Sequence, residues 1–461
     1  MTEQMQSFKG AHAIVLGGGI AGLATAGTLT RHFAEVTLIE RDRYPDRADV
    51  RQHTPHGAHV HILLAGGLVT LSRLIPELAS WLDEMGRDEA DLTHHTRVAY
   101  EGRWLPRARS GVPIRPCTRA EVEQLLLRNV RRHASIRVLD GSTVQSLVGD
   151  GRITGVKFTR EGVSDVLSAD LVVDAMGRGT PSRRWLEAAG LSAVEELTVD
   201  AGVVYASAWF EPPKGIDDDW VALATLPAIP REPHMGVAIR FGPDRMLCSA
   251  IGYGSPRPPR TIDEMAHRME ALCVPHLARL VRASKATSDV VVYANTQNRW
   301  RRWGRLPRFP DGLVIIGDAV CSLNPRYGQG MTVASLGAER LDRELDAHFA
   351  RHGNLTGFSH RFQRSLEAVL AVPWQIALME DRSWVSVLSG AAPSPLSKLV
   401  LAGSQRVLQT AFSDIDTYIR FMRLAHLLDA PTRMLAPRTL ARIARGGHRA
   451  GEPEAPSIGL A

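Results

Sequence analysis

A short apolar run ends abruptly in four closely spaced glycines: Ala11 to Gly22 reads A-H-A-I-V-L-G-G-G-I-A-G. The β-rich stretch Ala13–Leu16 suits a strand buried on both faces of a parallel sheet. The Ala- and Leu-rich stretch Ile20–Leu29 suits the helix that follows. Between them, Gly17 permits the tight strand-to-helix turn, Gly19 lets a pyrophosphate approach the main chain, and Gly22 lets the helix pack closely on the strand. The helix N-terminus adds free N–H groups and a partial positive charge for that anion. A second strand, Glu35–Ile39, ends at Glu40, 18 residues after Gly22, with Arg41 beside it. A carboxylate at that distance can accept hydrogen bonds from the ribose hydroxyls of an adenosine. Strand, glycines, helix, strand and acid in this order predict a dinucleotide-binding βαβ unit over 11–45. The plainer alternative is an ordinary βαβ start with a solvated glutamate.

Composition narrows the class. The chain has 461 residues, 44% hydrophobic and 23% charged, enough for two or three domains with large cores. The net charge is +6, and its basic residues are nearly all arginine; the lysines are Lys9, Lys157, Lys214, Lys285 and Lys398. Arginine-rich pockets suit phosphates or an anionic substrate. No basic block alternates with aromatics, so a small molecule rather than a nucleic acid is the expected partner. Cys117, Cys248, Cys273 and Cys321 form no CxxC pair. That argues against a disulfide framework or a zinc site and fits a reducing, cytoplasmic setting. The first strand begins too near Met1 for a signal peptide, and no apolar run approaches the ~20 residues that cross a bilayer.

The chain reads as interleaved. A histidine-rich loop at 46–70 enters a helix. Thr118–Arg132 is an amphipathic helix whose Thr118 and Glu121 have capping-box spacing. Ile136–Leu139, Thr143–Val148 and Ile153–Phe158 read as a small sheet, and Ala169–Ala175 as another buried strand. The expected fold class is α/β, with a Rossmann-like dinucleotide-binding domain, an inserted β-sheet substrate domain and a helical C-terminal region. Its boundaries are 1–190 for the first part of the binding domain, 191–300 for the β-rich insertion, 301–345 for the return, 346–445 for the helices and 446–461 for a disordered tail.

A second motif lies where the chain returns. Asp311 to Thr332 reads D-G-L-V-I-I-G-D-A-V-C-S-L-N-P-R-Y-G-Q-G-M-T. Asp318, at a strand end, can accept from sugar hydroxyls, and the glycines expose N–H groups where a helix begins. The alternative is a plain crossover with a capping aspartate. Here the chain resembles the single-component flavoprotein monooxygenases of the para-hydroxybenzoate hydroxylase-like superfamily. Their pattern G-D-A-x-x-x-x-x-P-x-x-G-x-G matches at Gly317, Asp318, Ala319, Pro325, Gly328 and Gly330. The family's D-G-x-x-S-type element stands as Asp174 to Ser182, with Ala175 and Met176 departing from it, and Arg119 matches an FAD-contacting arginine.

The resemblance spans residues 11 to about 340. It implies FAD held by Gly17, Gly19, Gly22, Glu40, Arg41, Arg119, Asp174, Gly317, Asp318, Pro325, Gly328 and Gly330, with NAD(P)H as co-substrate. Gln52–Leu64 and Cys321–Thr332 are most similar to a subgroup of squalene- and polyether-epoxidase-like enzymes. That implies one oxygen atom inserted into a mostly apolar polyketide or isoprenoid skeleton, with epoxidation favoured over ring hydroxylation.

The spacing of His53, His56, His59 and His61 does not suit a metal, and none is expected. His59 and His61 are instead candidates to contact flavin or substrate. Arg51 is either a phosphate partner or solvated. No catalytic acid or base stands out. A flavin halogenase would share the FAD contacts, but its catalytic lysine and Trp-x-Trp-x-Ile-Pro motif are missing here. A FAD-dependent dehydrogenase, such as a prenyl-chain reductase, is the main alternative. Arginine on the polar faces of Tyr418–Leu428 and Thr439–Arg445 reads more economically as packed surface helices than as peripheral membrane contact.

Overall fold

The strand Gly10–Leu16 lies at the centre of a five-stranded parallel sheet. It pairs with Phe33–Ile39 on one side and Leu171–Asp174 on the other, and Ile136–Leu139 and Leu313–Ile315 form the edges. Its residues Ala13 to Leu16 are fully buried, as a parallel strand covered on both faces must be. The computed structural model describes residues 9–216, 219–392 and 394–445. The tail expected to be disordered, 446–461, lies outside the described residues.

The helix Ile20–Leu29 packs against the long helix Gly330–His352 and against Arg119–Arg132. The last of these opens as its sequence predicts. Thr118 Oγ1 accepts from Glu121 N at 3.1 Å, and the Glu121 carboxylate accepts from Thr118 N at 2.8 Å. The reading of 136–158 needs correction. Ile136–Leu139 leaves the small sheet and extends the parallel one beside Phe33–Ile39. Its place is taken by Val163–Ser168, which pairs with Gly155–Arg160, itself paired with Ser142–Val148. A four-residue apolar strand carries no mark of which sheet it joins; the tertiary neighbour decides.

A second, largely antiparallel sheet runs in the order Lys285–Ala286, Val204–Glu211, Met246–Gly252, His234–Arg240, Ala222–Thr225, Thr96–Tyr100, Arg103–Trp104, with Val291–Tyr293 also on Val204–Glu211. Two of its strands come from 96–104, far upstream of the expected insertion at 191–300. One face carries the helices Ile262–Glu270 and His276–Ala283 over Phe210, Met246 and Cys248. On the other, Val60 and Ile62 of the histidine-rich loop pack against Ile239, Phe241 and Leu247. A small three-stranded sheet links Glu196–Val199, Asn298–Arg301 and Cys321–Ser322. The C-terminal part is helical: Phe358–Ser389, Pro395–Ala411, Ile415–Ala425 and Pro437–Arg445 follow the long helix. Among the described residues, no helix is long and apolar enough to cross a membrane.

The contact between first helix and first strand is very close. A Cβ on Gly22 would lie 1.8 Å from the carbonyl oxygen of Gly17. Gly22→Ala must therefore push the helix off the strand. It should lower the stability measured by denaturant unfolding by about 1–3 kcal/mol, the usual cost of overpacking. An unchanged midpoint would show that the helix can withdraw freely.

Candidate active site

A cavity of about 580 Å³ opens where the parallel strands end and their loops diverge. Both glycine motifs line it, although some 300 residues separate them in the chain. Of the residues singled out from sequence, Gly17, Gly19, Glu40, Arg41, Arg119, His61, Asp318, Pro325, Gly328 and Gly330 face this space. Gly22, Asp174, Gly317 and His59 stand behind the lining. Asp174 is fully buried and spends its carboxylate on the loop after its strand, accepting from Met176 N at 2.9 Å and Thr180 Oγ1 at 2.6 Å. A Cβ on Gly317 would meet the Ala21 methyl at 2.7 Å, so that glycine seats the second motif against the first helix.

One end of the cavity is built from charge. Glu40 accepts from Gly18 N, and from Asp42 N at 2.9 Å. Arg51 reaches Glu40 at 3.0 Å, Asp42 at 3.3 Å and Glu123 at 3.1 Å, and donates to the carbonyl of Gly18. Arg119 pairs with Glu123 at 2.8 Å. Arg51 is thus neither solvated nor free for a phosphate. Burial alone would lower its pKa, but Glu123 and Glu40 more than reverse that. His53 bonds Asp42. The four loop histidines form no metal-binding group among the described residues. A group that could is His32, Asp342 and Asp346, where Arg31 pairs with both carboxylates.

Elsewhere the lining is aromatic and rich in imidazole. His56, His61, Tyr293 and Asn295 face the cavity. Burial, with Arg119 and His61 nearby, lowers the pKa of His56 to about 2. Burial also lowers His61 to about 4, with Arg119 adding to it. Both are uncharged imidazoles at neutral pH. The loop meets the second motif directly: Gly328 has φ +64°, and a Cβ there would come within 2.7 Å of Ile62 Cγ2. Asp318 faces the cavity with its pKa raised by burial, a shift that Arg178 and Arg119 oppose.

Glu380 and Asp381 belong to none of the sequence motifs. Asp381, 1% exposed, accepts from Asn298 Nδ2 at 2.6 Å, Asn324 Nδ2 at 3.0 Å, the Tyr327 hydroxyl at 2.6 Å and the Tyr253 hydroxyl at 3.4 Å. Glu380 pairs with Arg326 at 2.7 Å. The loop Asn324–Gly330 therefore hangs from a helix that begins at Phe358. The signal in the sequence is two adjacent acids inside an otherwise apolar helical stretch, which burial forces to find partners.

An uncapped helix start at Gly19, an acid at a strand end, two arginines and an open lining at Gly177, Gly179 and Gly330 suit a long, anionic, hydroxyl-bearing dinucleotide. Fold and site together define a dinucleotide-binding flavoenzyme. The family model described as "FAD binding domain" matches residues 11–356. The chain belongs to this family of para-hydroxybenzoate hydroxylase-like flavoproteins and is an FAD-dependent monooxygenase.

It is 32% identical over 373 residues to Protein Rv3254 of Mycobacterium tuberculosis, covering 76% of each chain. It is 28% identical over 341 residues to the 6-methylpretetramide 4-monooxygenase of Streptomyces rimosus, covering 70% of this chain and 73% of that one. The flavin-dependent brominase Bmp2 superposes with a TM-score of 0.64 at 16% identity, covering 94% of this chain and 98% of that one; the likeness is one of fold alone.

The Arg51 cluster is the part of this site most sensitive to one substitution. Arg51→Met would leave Glu40, Asp42 and Glu123 buried with one cation fewer. Stability should fall by about 3–5 kcal/mol, as when a buried pair loses one partner. Denaturant unfolding measures it, and an unchanged midpoint would show that the carboxylates are compensated elsewhere.

Proposed function

We propose that the chain uses NAD(P)H and dioxygen to insert one oxygen atom into a mostly apolar, ring-bearing substrate of polyketide or isoprenoid type. The other oxygen atom leaves as water, and NAD(P)H with a proton supplies the two reducing equivalents. The observation that carries the reading is a single cavity that joins both glycine motifs to a neutral, aromatic wall of His56, His61 and Tyr293.

FAD, when bound, supplies the activation of dioxygen; the protein's share is binding, orientation and exclusion of water. Glu40 and Arg41 would hold the adenosine end. The helix start at Gly19, supported by Gly17 and Gly22, would hold the pyrophosphate with Arg119. Asp318, seated by Gly317, would take sugar hydroxyls, and Pro325, Gly328 and Gly330 would lie along the ring. Asp174 would act through the loop it shapes. The β-rich part at 191–300 would cover the substrate side, between the two stretches of the FAD-binding part.

Ring hydroxylation is the better supported outcome. His61 offers a neutral acceptor that can polarise a ring hydroxyl, and the relative from Streptomyces rimosus is a 4-monooxygenase by name. Epoxidation is the second reading, favoured by the resemblance of Gln52–Leu64 to the epoxidase-like subgroup. Halogenation is not favoured, because no lysine lines the cavity among the described residues.

The purified protein should be yellow and release FAD on acid precipitation. Asp318→Ala should weaken FAD binding by about 1.5–3 kcal/mol, the worth of a charged hydrogen bond. FMN in the supernatant, or full FAD occupancy in the variant, would refute this placement. Given ¹⁸O-labelled dioxygen and NADPH, the product should gain one labelled oxygen on a ring carbon. An unlabelled oxidised product would identify a dehydrogenase, and an epoxide would reverse the preference between the two outcomes.

A further inference from the structure

The turn after the first helix carries an imidazole whose two ring nitrogens differ. His32 lies between the helix Ile20–Leu29 and the strand Phe33–Ile39, with its side chain 1% exposed. It packs against the long helix Gly330–His352, on which Asp342 and Asp346 stand one turn apart. His32 Nε2 lies 2.8 Å from Asp342 Oδ1, and the other oxygen of Asp342 pairs with Arg31. An ionised carboxylate only accepts, so Nε2 carries a proton. Nδ1 is buried and has no hydrogen-bond partner among the described residues, which folded proteins rarely leave so. It faces Asp346 Oδ1 at 3.8 Å. In a neutral ring, Nδ1 turns a bare lone pair toward a carboxylate oxygen. Two such electron-rich atoms repel each other unless a cation lies between them.

The cations already present leave that position open. Arg31 binds both aspartates through their Oδ2 atoms, Asp346 at 3.6 Å. Both Oδ1 atoms are therefore turned to His32. Lys9 Nζ stands 4.0 Å from Asp346 Oδ1, beyond hydrogen-bond range. The side chains of Lys9 and Asp346 are 44% and 50% exposed, so both can swing to admit an ion. One ligand-capable atom from each of His32, Asp342 and Asp346 lies within 4.8 Å of the others.

We propose that His32 Nδ1 and Asp346 Oδ1 bind a divalent cation of the zinc type, with water completing its shell. Two ligands about 2.0–2.1 Å from one zinc ion can span the 3.8 Å between these atoms. Asp342 is a positioning residue. It accepts from Nε2–H, fixes the tautomer that frees Nδ1 and raises its basicity, as a carboxylate behind a metal-bound imidazole does. A ring nitrogen beside one carboxylate suits zinc better than magnesium or calcium, which take oxygen ligands. The ion ties the end of the helix that starts beside Gly19 to the helix that starts at Gly330. Both starts line the FAD cavity, so the ion braces the scaffold and takes no part in the oxidation.

Zinc titrated by calorimetry into the untagged, chelator-treated holoenzyme at neutral pH tests this. Other histidines also take zinc, so single substitutions remote from the cavity identify the site. Asp346→Asn, at a half-exposed position, should weaken the tightest site about tenfold or more, and Asp342→Asn about 10–100-fold. Lys9→Ala removes a competing cation and should tighten binding about two- to fivefold, the worth of one exposed charge pair. The wild-type Tm should rise with the logarithm of free zinc, and less so in Asp346→Asn. In ¹⁵N NMR of histidine-labelled protein, zinc should shift His32 Nδ1 while the Nε2–H signal persists.

Unchanged zinc affinity in Asp346→Asn, zinc on His32 Nε2, or no zinc bound at about 0.1 mM would overturn the proposal. FAD release and NADPH oxidation test the monooxygenase reading separately.

Discussion

Much of this molecule depends on how closely one helix can approach one strand. With no Cβ at Gly22, the helix Ile20–Leu29 rests on the turn at Gly17, and its N-terminus points at the end of the sheet. A hydrogen replaced by a methyl group would displace that N-terminus, and with it the unpaired N–H groups that make the cavity attractive to an anion. The long helix Gly330–His352 packs on the same helix. The second glycine motif, at its start, is therefore located by the first.

The cavity is closed at its two ends by different physics. At the Glu40 end, irregular chain is held down by charge: Arg51, from the histidine-rich loop, binds three carboxylates from a strand end, the segment after it and the helix Arg119–Arg132. Such a cluster is stable only when complete, because each buried charge removed strands the others. At the Gly328 end the loop is held by neutral donors converging on one carboxylate, Asp381. A saturated buried aspartate holds the loop rigidly without leaving an unpaired charge beside the cavity.

The shared fold with a brominase shows how little the scaffold says about the reaction. What distinguishes this chain is the lining. Its far wall consists of imidazoles kept neutral by burial and of a phenol ring. Arg119 and Arg178 lie close enough to lower the His56 pKa further, so the wall is uncharged itself but stands beside cations.

The amino-acid sequence by itself determined the βαβ start, the acid at Glu40, the capping box at Thr118 and Glu121, and the second motif from Gly317 to Gly330. In each, a backbone requirement or a short-range spacing dictates residue type, so the reason is local and can be read along the chain. Only the tertiary structure decided the rest. Ile136–Leu139 joined the parallel sheet and 96–104 joined the antiparallel one, because a short apolar strand pairs with whatever edge is left open. Arg51 found three acids instead of solvent, Asp381 became the anchor of a loop more than 50 residues upstream, and His59 met the buried pair Ser207 and Ser249. These outcomes depend on partners distant in sequence, and on burial, which turns an ordinary polar side chain into one that must be satisfied.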